Sequence, residues 1–287
     1  SAASDVYKRQ LLEKGLELLS EIIFSPALED GAFLPLYVSQ EKRTLKQRIQ
    51  AVYNDKMRYS NLRLIQVMCK DEPYALHVNG ELDDVDGITP QSLYEAYQKA
   101  VTEDQLDIYV VGDVDEQQVD SYISKYFEVN ERELRPVPKL EQIRAKEPQE
   151  VVEDADVKQG KLNMGFRTGT HFTDDDYPAL QLFNGLFGGF SHSKLFINVR
   201  EKASLAYYAA SRIESFKGLL MVMSGIEVGN YQKAVDIIKE QFQEMKKGSF
   251  TDEAIDQTKA VIKNQILETL DTPYGLSLIH ISEPTRQ

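Results

Sequence analysis

"DDYPALQLFNGLFGGFSHSKLFINVREKASLAYYAAS", Asp175–Ser211, carries more of the fold than any other stretch of the chain. Its first part spaces apolar residues as an amphipathic helix does, with Asp174 to Asp176 in the opening turn, where the helix dipole favours carboxylates. The pair Gly188-Gly189 breaks that helix. "SHSKLFINVREK" then reads as a short helix and "LAYYAASRI" as a strand. Arg200 and Tyr207 stand seven residues apart at this helix-to-strand junction. They either cap and pack the junction or reach into a site. For Arg200 the packing role is to serve the helix C-terminal dipole; for Tyr207 it is to lie between strands.

Outward from this stretch the chain alternates helices and strands. C-terminally, "GLLMVMSGI" is a strand, followed by the helices "NYQKAVDIIKEQFQEMKK" and "TDEAIDQTKAVIKNQILETL". N-terminally, "KLNMGFRTGT" alternates Leu162, Met164 and Phe166 with polar or small residues, as a half-buried strand does. Residues 129–149 hold three prolines and alternating charges with little apolar spacing, and read as an interdomain linker. Before it, "LDIYVVGDVD" is a short β-rich run, "GITPQSLYEAYQKAV" opens a helix on Thr89 and Pro90, and residues 41–68 read as one long charged helix. A repeat spans the linker: "IYVVGDVDEQQVDSYISKYF" and "LMVMSGIEVGNYQKAVDIIKEQF" each run strand, acidic turn, helix. Val119, Ile123 and Phe127 match Val235, Ile238 and Phe242. Two similar α+β domains are expected.

Both ends read as foreign to that pattern. "LSLIHISEPTR", Leu276–Arg286, resembles the in-frame translation of a sequencing-library adaptor, and "DVYKRQ", Asp5–Gln10, resembles its reverse complement. Residues 1–10 and 276–287 are therefore expected to lie outside the fold.

Composition excludes several functions. With 33 basic against 46 acidic residues and a net charge of −13, the chain is a poor binder of nucleic-acid phosphates. Its longest apolar run falls far short of the ~20 residues a membrane-spanning helix needs. The lone Cys69 permits no internal disulfide and fits a reducing, cytoplasmic compartment. His77, His171 and His192 show no i, i+4 pairing of the kind that sets two imidazoles on one helix face for zinc. "GFSHS" misses the nucleophile elbow at Ser193, where the turn wants glycine. "ELDDVDG" misses an EF-hand loop at Leu82 and Leu93 and reads as a solvated turn. No phosphate-cradling loop is present, and Gly185, Gly188 and Gly189 read as packing or helix-breaking residues.

The Asp175–Ser211 stretch resembles the C-terminal domain signature of the M16 (insulinase, pitrilysin, mitochondrial processing peptidase) family, in which a Gly-rich turn precedes S-x-L-F-x-x-x-R-E-K-x-x-L-A-Y. "DEPYALHVNGELDDVDGITPQSLYEAYQKAV" and "LDIYVVGDVD" are similar to the second half of that family's N-terminal domain. The resemblance implies residues 11–128 as that half-domain, 129–149 as linker and 150–275 as the C-terminal domain, each domain an antiparallel sheet backed by helices. It further implies peptide hydrolysis at a zinc held by H-x-x-E-H plus a downstream glutamate. The run matching the glutamate is "RTLKQRI", Arg43–Ile49, where Gln47 and Arg48 stand in the glutamate positions and Glu41 lies upstream. Neither an amide nor a guanidinium replaces a carboxylate on zinc.

The implied molecule is a subunit with no metal site of its own. It pairs as a heterodimer with a zinc-bearing M16 partner and offers Arg200 and Tyr207 to a peptide substrate, with no nucleic acid or membrane involved. Two other readings stand beside it: an M16 zinc peptidase whose H-x-x-E-H lies upstream of residue 11, and a structural core subunit with no catalytic part.

Overall fold

The computed structural model describes residues 2–129, 132, 143 and 147–276. The expected linker and the expected adaptor-derived C-terminal end fall almost wholly outside these residues. The described chain forms two compact units, one drawn from Ser1–Arg48, Glu81–Val137 and Ile266–Gln287, the other from Ile49–Gly80 and Pro138–Gln265. Residues 49–80 thus group with the segment after the linker, because their helix packs on its sheet.

In the first unit, α1 (Ala2–Phe24) runs as backbone helix straight through the boundary expected at residue 10. A minimal hairpin follows, β1 (Leu28–Glu29) and β2 (Ala32–Phe33), turned by Asp30 at φ 51° and Gly31 at φ 78°. Both turn residues are left-handed, the conformation that makes Asp-Gly a hairpin turn. α2 (Pro35–Asn54) ends earlier than its charge pattern suggests. The single helix expected over 41–68 is two, because Asp55 is extended and its carboxylate accepts from the amides of Met57 and Arg58 to cap a new helix, α3 (Lys56–Met68). α4 (Pro90–Glu103) opens as expected on Thr89, with a reciprocal box between Thr89 and Ser92. α5 (Glu116–Tyr126) is capped by Asp115, and Phe127 at its end meets Phe24 edge-on at 5.9 Å. Leu106–Val111, expected as a strand, joins no sheet among the described residues. A strand needs a ladder partner, and apolar composition cannot supply one.

The second unit takes in α3 and is otherwise built on β3 (Gly160–Arg167), α6 (Tyr177–Asn184), β4 (Ala206–Glu214), β5 (Leu219–Ile226), α7 (Tyr231–Lys246) and most of α8 (Asp252–Leu270). Three antiparallel strands lie in the order β3-β5-β4. β5 is central and covered on both faces, which explains why it reads as a continuous apolar run rather than an alternating one. One sheet face, with Leu162, Ala209, Leu220, Val222 and Ile226, shares a core with Ala234, Val235, Ile238 and Met245 of α7. Phe166 stacks on Phe242 at 4.9 Å. The opposite face of β3 receives α3: Asn163 Nδ2 donates to Ser60 Oγ (3.0 Å) and Asn61 Oδ1 (3.1 Å). Gly165 leaves room there that Met68 occupies, since a Cβ would stand 2.5 Å from its sulfur. At the end of that face the buried Arg167 guanidinium pairs with Glu72 and donates to Met68 O at 3.1 Å. The expected α+β architecture, an antiparallel sheet backed by helices, is present.

Candidate functional site

The junction between α6 and β4 is set by close approach of backbone to backbone. α6 gives way at Gly185 to a π-helical turn, Gly185–Gly189, rather than breaking outright at Gly188. A Cβ on Gly185 would stand 2.5 Å from Thr258 Cγ2, and one on Gly188 would stand 2.7 Å from the Ser211 amide nitrogen of β4. No larger residue fits, so the glycines serve packing. Ser211 Oγ donates to Asn184 Oδ1 at 2.7 Å and ties strand to helix. Ser193 is fully buried, and its hydroxyl accepts from the Phe196 amide at 3.4 Å. It caps the next helical segment and is no nucleophile. His192 Nε2 lies 2.8 Å from Thr258 Oγ1, and burial holds this imidazole below the usual histidine range.

The following segment, Phe196–Lys202, is also π-helical. Leu195 and Val199 are fully buried and seat it in the core. Arg200 faces solvent from its last turn, the guanidinium centred 4.5 Å over the Phe196 ring. Two long-reach bonds close the segment, Ala203 N to Asn198 O and Leu205 N to Val199 O, each 3.2 Å. Ser204 between them takes a left-handed φ of 49°, a conformation that costs a non-glycine residue on the order of 1 kcal/mol. β4 then begins with a bulge: Ala206 pairs with Ile226 and Tyr208 with Gly225, which leaves Tyr207 as the extra residue. A bulge re-aims a side chain without ending the sheet. Tyr207 is accordingly 56% exposed. Its neighbour Tyr208 instead lies across Gly225, and burial followed by the Asp55 carboxylate pushes its phenol up.

Among the described residues neither the Arg200 guanidinium nor the Tyr207 hydroxyl makes a hydrogen bond or ion pair to protein. The elements that carry them are fixed, while their polar ends meet no partner among the described residues. Arg200 stands in the last turn of its helical segment, where a cation suits the helix dipole, with its guanidinium against the Phe196 ring, while Tyr207 is exposed rather than enclosed between strands.

A sequence profile described as "Peptidase M16 inactive domain" matches residues 87–262. "Probable inactive metalloprotease YmfF" of Bacillus subtilis (strain 168) is 71% identical over 267 residues, which cover 93% of this chain and 63% of that protein. The chain belongs to the M16 peptidase family. Among solved structures, a conserved protein from Enterococcus faecalis V583 superimposes with a TM-score of 0.88 at 33% identity, over 97% of this chain and 66% of that one. An M16 inactive domain from Pseudomonas fluorescens matches with a TM-score of 0.72 at 20% identity, over 88% and 60% respectively, and shows the shared fold. The chain thus spans somewhat under two-thirds of the length of these relatives.

M16 resemblance implies zinc, and the residues described do not fit it. Gln47 and Arg48 lie exposed on α2, whose Lys42 and Lys46 reach Ile88 O and the Asp86 carboxylate, each at 2.6 Å. His77 Nδ1 accepts from Asn79 N, His171 lies 3.6 Å from Asp174, and His192 is held by Thr258, so no two histidines converge. Among the described residues no three His, Cys, Asp or Glu side chains are grouped as a metal site. No helix there is long and apolar enough to cross a membrane.

One polar centre had no sequence signal. Arg167, Glu72 and Cys69 meet where the end of α3 touches β3, far apart in the chain. Burial pushes the Cys69 thiol up, which makes it an inert packing group. Nearby, burial and then Glu214 push the Tyr74 phenol up to about 12.

Proposed function

We propose that this chain is a region of a cytoplasmic, non-metal-binding M16 subunit that pairs with a zinc-bearing M16 partner and presents Arg200 and Tyr207 to a peptide. The observation that carries the reading is that both side chains sit on elements locked into the core with no polar partner among the described residues, while the run that resembles the family's downstream glutamate stretch has Gln47 and Arg48. The likeness to a relative described as an inactive metalloprotease supports it.

In this reading the partner supplies the metal chemistry that activates water. This chain binds and orients. The Arg200 guanidinium offers a planar fork of N–H donors to a peptide carboxylate or carbonyl, with geometry a lysine lacks. The Tyr207 hydroxyl donates a hydrogen bond to the scissile oxygen as negative charge grows on it, an interaction worth more in the transition state than in the bound substrate.

The test uses the complete protein assembled with a zinc-bearing M16 relative and fluorescence-quenched casein as substrate. Tyr207→Phe removes one hydroxyl that bonds nothing among the described residues, so melting and pairing should hold while kcat falls by ~10²–10³. Full turnover in both Tyr207→Phe and Arg200→Lys overturns the reading.

A further inference from the structure

We propose that Phe196 is a positioning residue: its ring holds the Arg200 guanidinium in a fixed outward pose while leaving every guanidinium N–H free for ligand. This deepens the reading of Arg200 as a peptide-binding group and rests on it.

An exposed arginine is poorly prepared to bind. Its side chain has many rotamers, and ordering it on binding costs affinity. A carboxylate partner would order it, but would consume the donors a peptide needs. No carboxylate pairs with Arg200 among the described residues; an aromatic face does, at 4.5 Å. A guanidinium laid flat on a ring would keep its edge, where all five N–H bonds point, open to solvent, and no N–H of Arg200 bonds a described residue.

The backbone makes this contact follow from core packing. Leu195 and Val199, four apart, are both fully buried and fix the rotation of the segment about its axis. Phe196 and Arg200 are the next residues of that same pair of positions, so they fall together on the adjacent flank, where the segment emerges from the core. Phe196 is half-buried there and Arg200 exposed. Along the helical run Phe196–Lys202, residues four apart are surface neighbours, which places Phe196 beneath Arg200. The phenylalanine is a platform that cannot follow the arginine into solvent.

Two measurements test the inference. On this chain alone, the Arg200 Nε–Hε resonance, assigned by its loss in Arg200→Lys, should lie upfield of the other arginines through the Phe196 ring current. It should return among them in Phe196→Leu and stay upfield in Phe196→Tyr. On the complete protein with its zinc-bearing partner and quenched casein, Phe196→Leu should raise KM about two- to fivefold with kcat unchanged. Phe196→Tyr should restore it, and Phe196→Leu should add nothing in an Arg200→Ala background. Should the leucine variant fail to fold, pentafluorophenylalanine at position 196 keeps the bulk, reverses the ring quadrupole and should give the same rise in KM. An unshifted Arg200 resonance in the unsubstituted chain overturns the inference. So does an unchanged KM in Phe196→Leu when Arg200→Ala raises it. If Arg200→Ala itself leaves KM unchanged, the peptide-binding reading fails and the role of Phe196 with it, a ring-current shift then marking a stack that only packs.

Discussion

Gly188→Ala tests the close approach of helix to strand with one methyl group. The added Cβ would stand 2.6 Å from Ser211 Oγ, 2.7 Å from Leu195 Cδ1 and 2.7 Å from Ser211 N. The first two atoms can swing aside. The third cannot, because it is backbone of β4, in register with Val222 of the central strand. The π-helical turn must therefore move off the sheet by on the order of 1 Å to reach an ordinary contact of about 3.5 Å. Forcing one methyl into a filled core typically costs about 1–3 kcal/mol, or about 2–12 °C in melting temperature for a domain of this size. Gly15 provides the control: it sits inside α1, and a Cβ added there would meet nothing within 4 Å. Gly15→Ala should stabilise by about 0.5–1 kcal/mol, because alanine loses less backbone entropy in a helix. Urea unfolding of both variants by circular dichroism, with thermal melts alongside, measures the two signs in one experiment. A Gly188→Ala midpoint within error of the unsubstituted chain would refute the reasoning, and so would both alanines shifting stability in the same direction.

Glu72→Ala strands the buried Arg167 guanidinium, the two side chains being 13% and 8% exposed, and should cost about 3 kcal/mol in urea unfolding; a loss below about 1 kcal/mol would show that the pair is replaceable. His192 has its folded pKa held below the unfolded value of about 6.5, so its contribution is present above that value and lost as pH falls through it. Between pH 7 and 5 the chain should therefore lose more stability than His192→Gln, and parallel pH profiles for the two would count against burial as the cause. This chain should also carry no stoichiometric zinc after gel filtration; one tightly held zinc per chain by metal analysis would overturn the account of Gln47 and Arg48.

Local signals were legible and long-range ones were not. Thr89 and Pro90 announced α4, and the apolar run Gly218–Ile226 announced a strand, because capping chemistry and hydrophobic period act within a few residues. Asp55 carried a capping signal hidden by helix-forming neighbours on both sides. Leu106–Val111 had strand composition, but pairing depends on a second segment that composition does not specify. Arg167 and Glu72 lie 95 residues apart, and only the docking of α3 on β3 brings them together. At the candidate site, Arg200 and Tyr207 stood out from the start. The exposure of Tyr207 depends on a bulge that follows a left-handed serine, and neither has a reliable single-residue signature.

The bulge at Tyr207 makes the number of residues in this junction as informative as their kind. Every position from Tyr208 to Glu214 keeps its partner on β5, while the segment before Ala206 is anchored through Val199 and Leu205. One residue fewer, with Tyr207 removed, would leave Ala206 and Tyr208 on their adjacent partners Ile226 and Gly225 as a regular ladder, and no side chain would be turned out at this point. One residue more would leave Tyr207 on a slack loop, free to point anywhere. Substitutions at Tyr207 keep the bulge, whereas a change of length between Arg200 and Tyr208 decides whether any side chain is turned out here at all, so across related chains the spacing should vary less than the side chains that fill it.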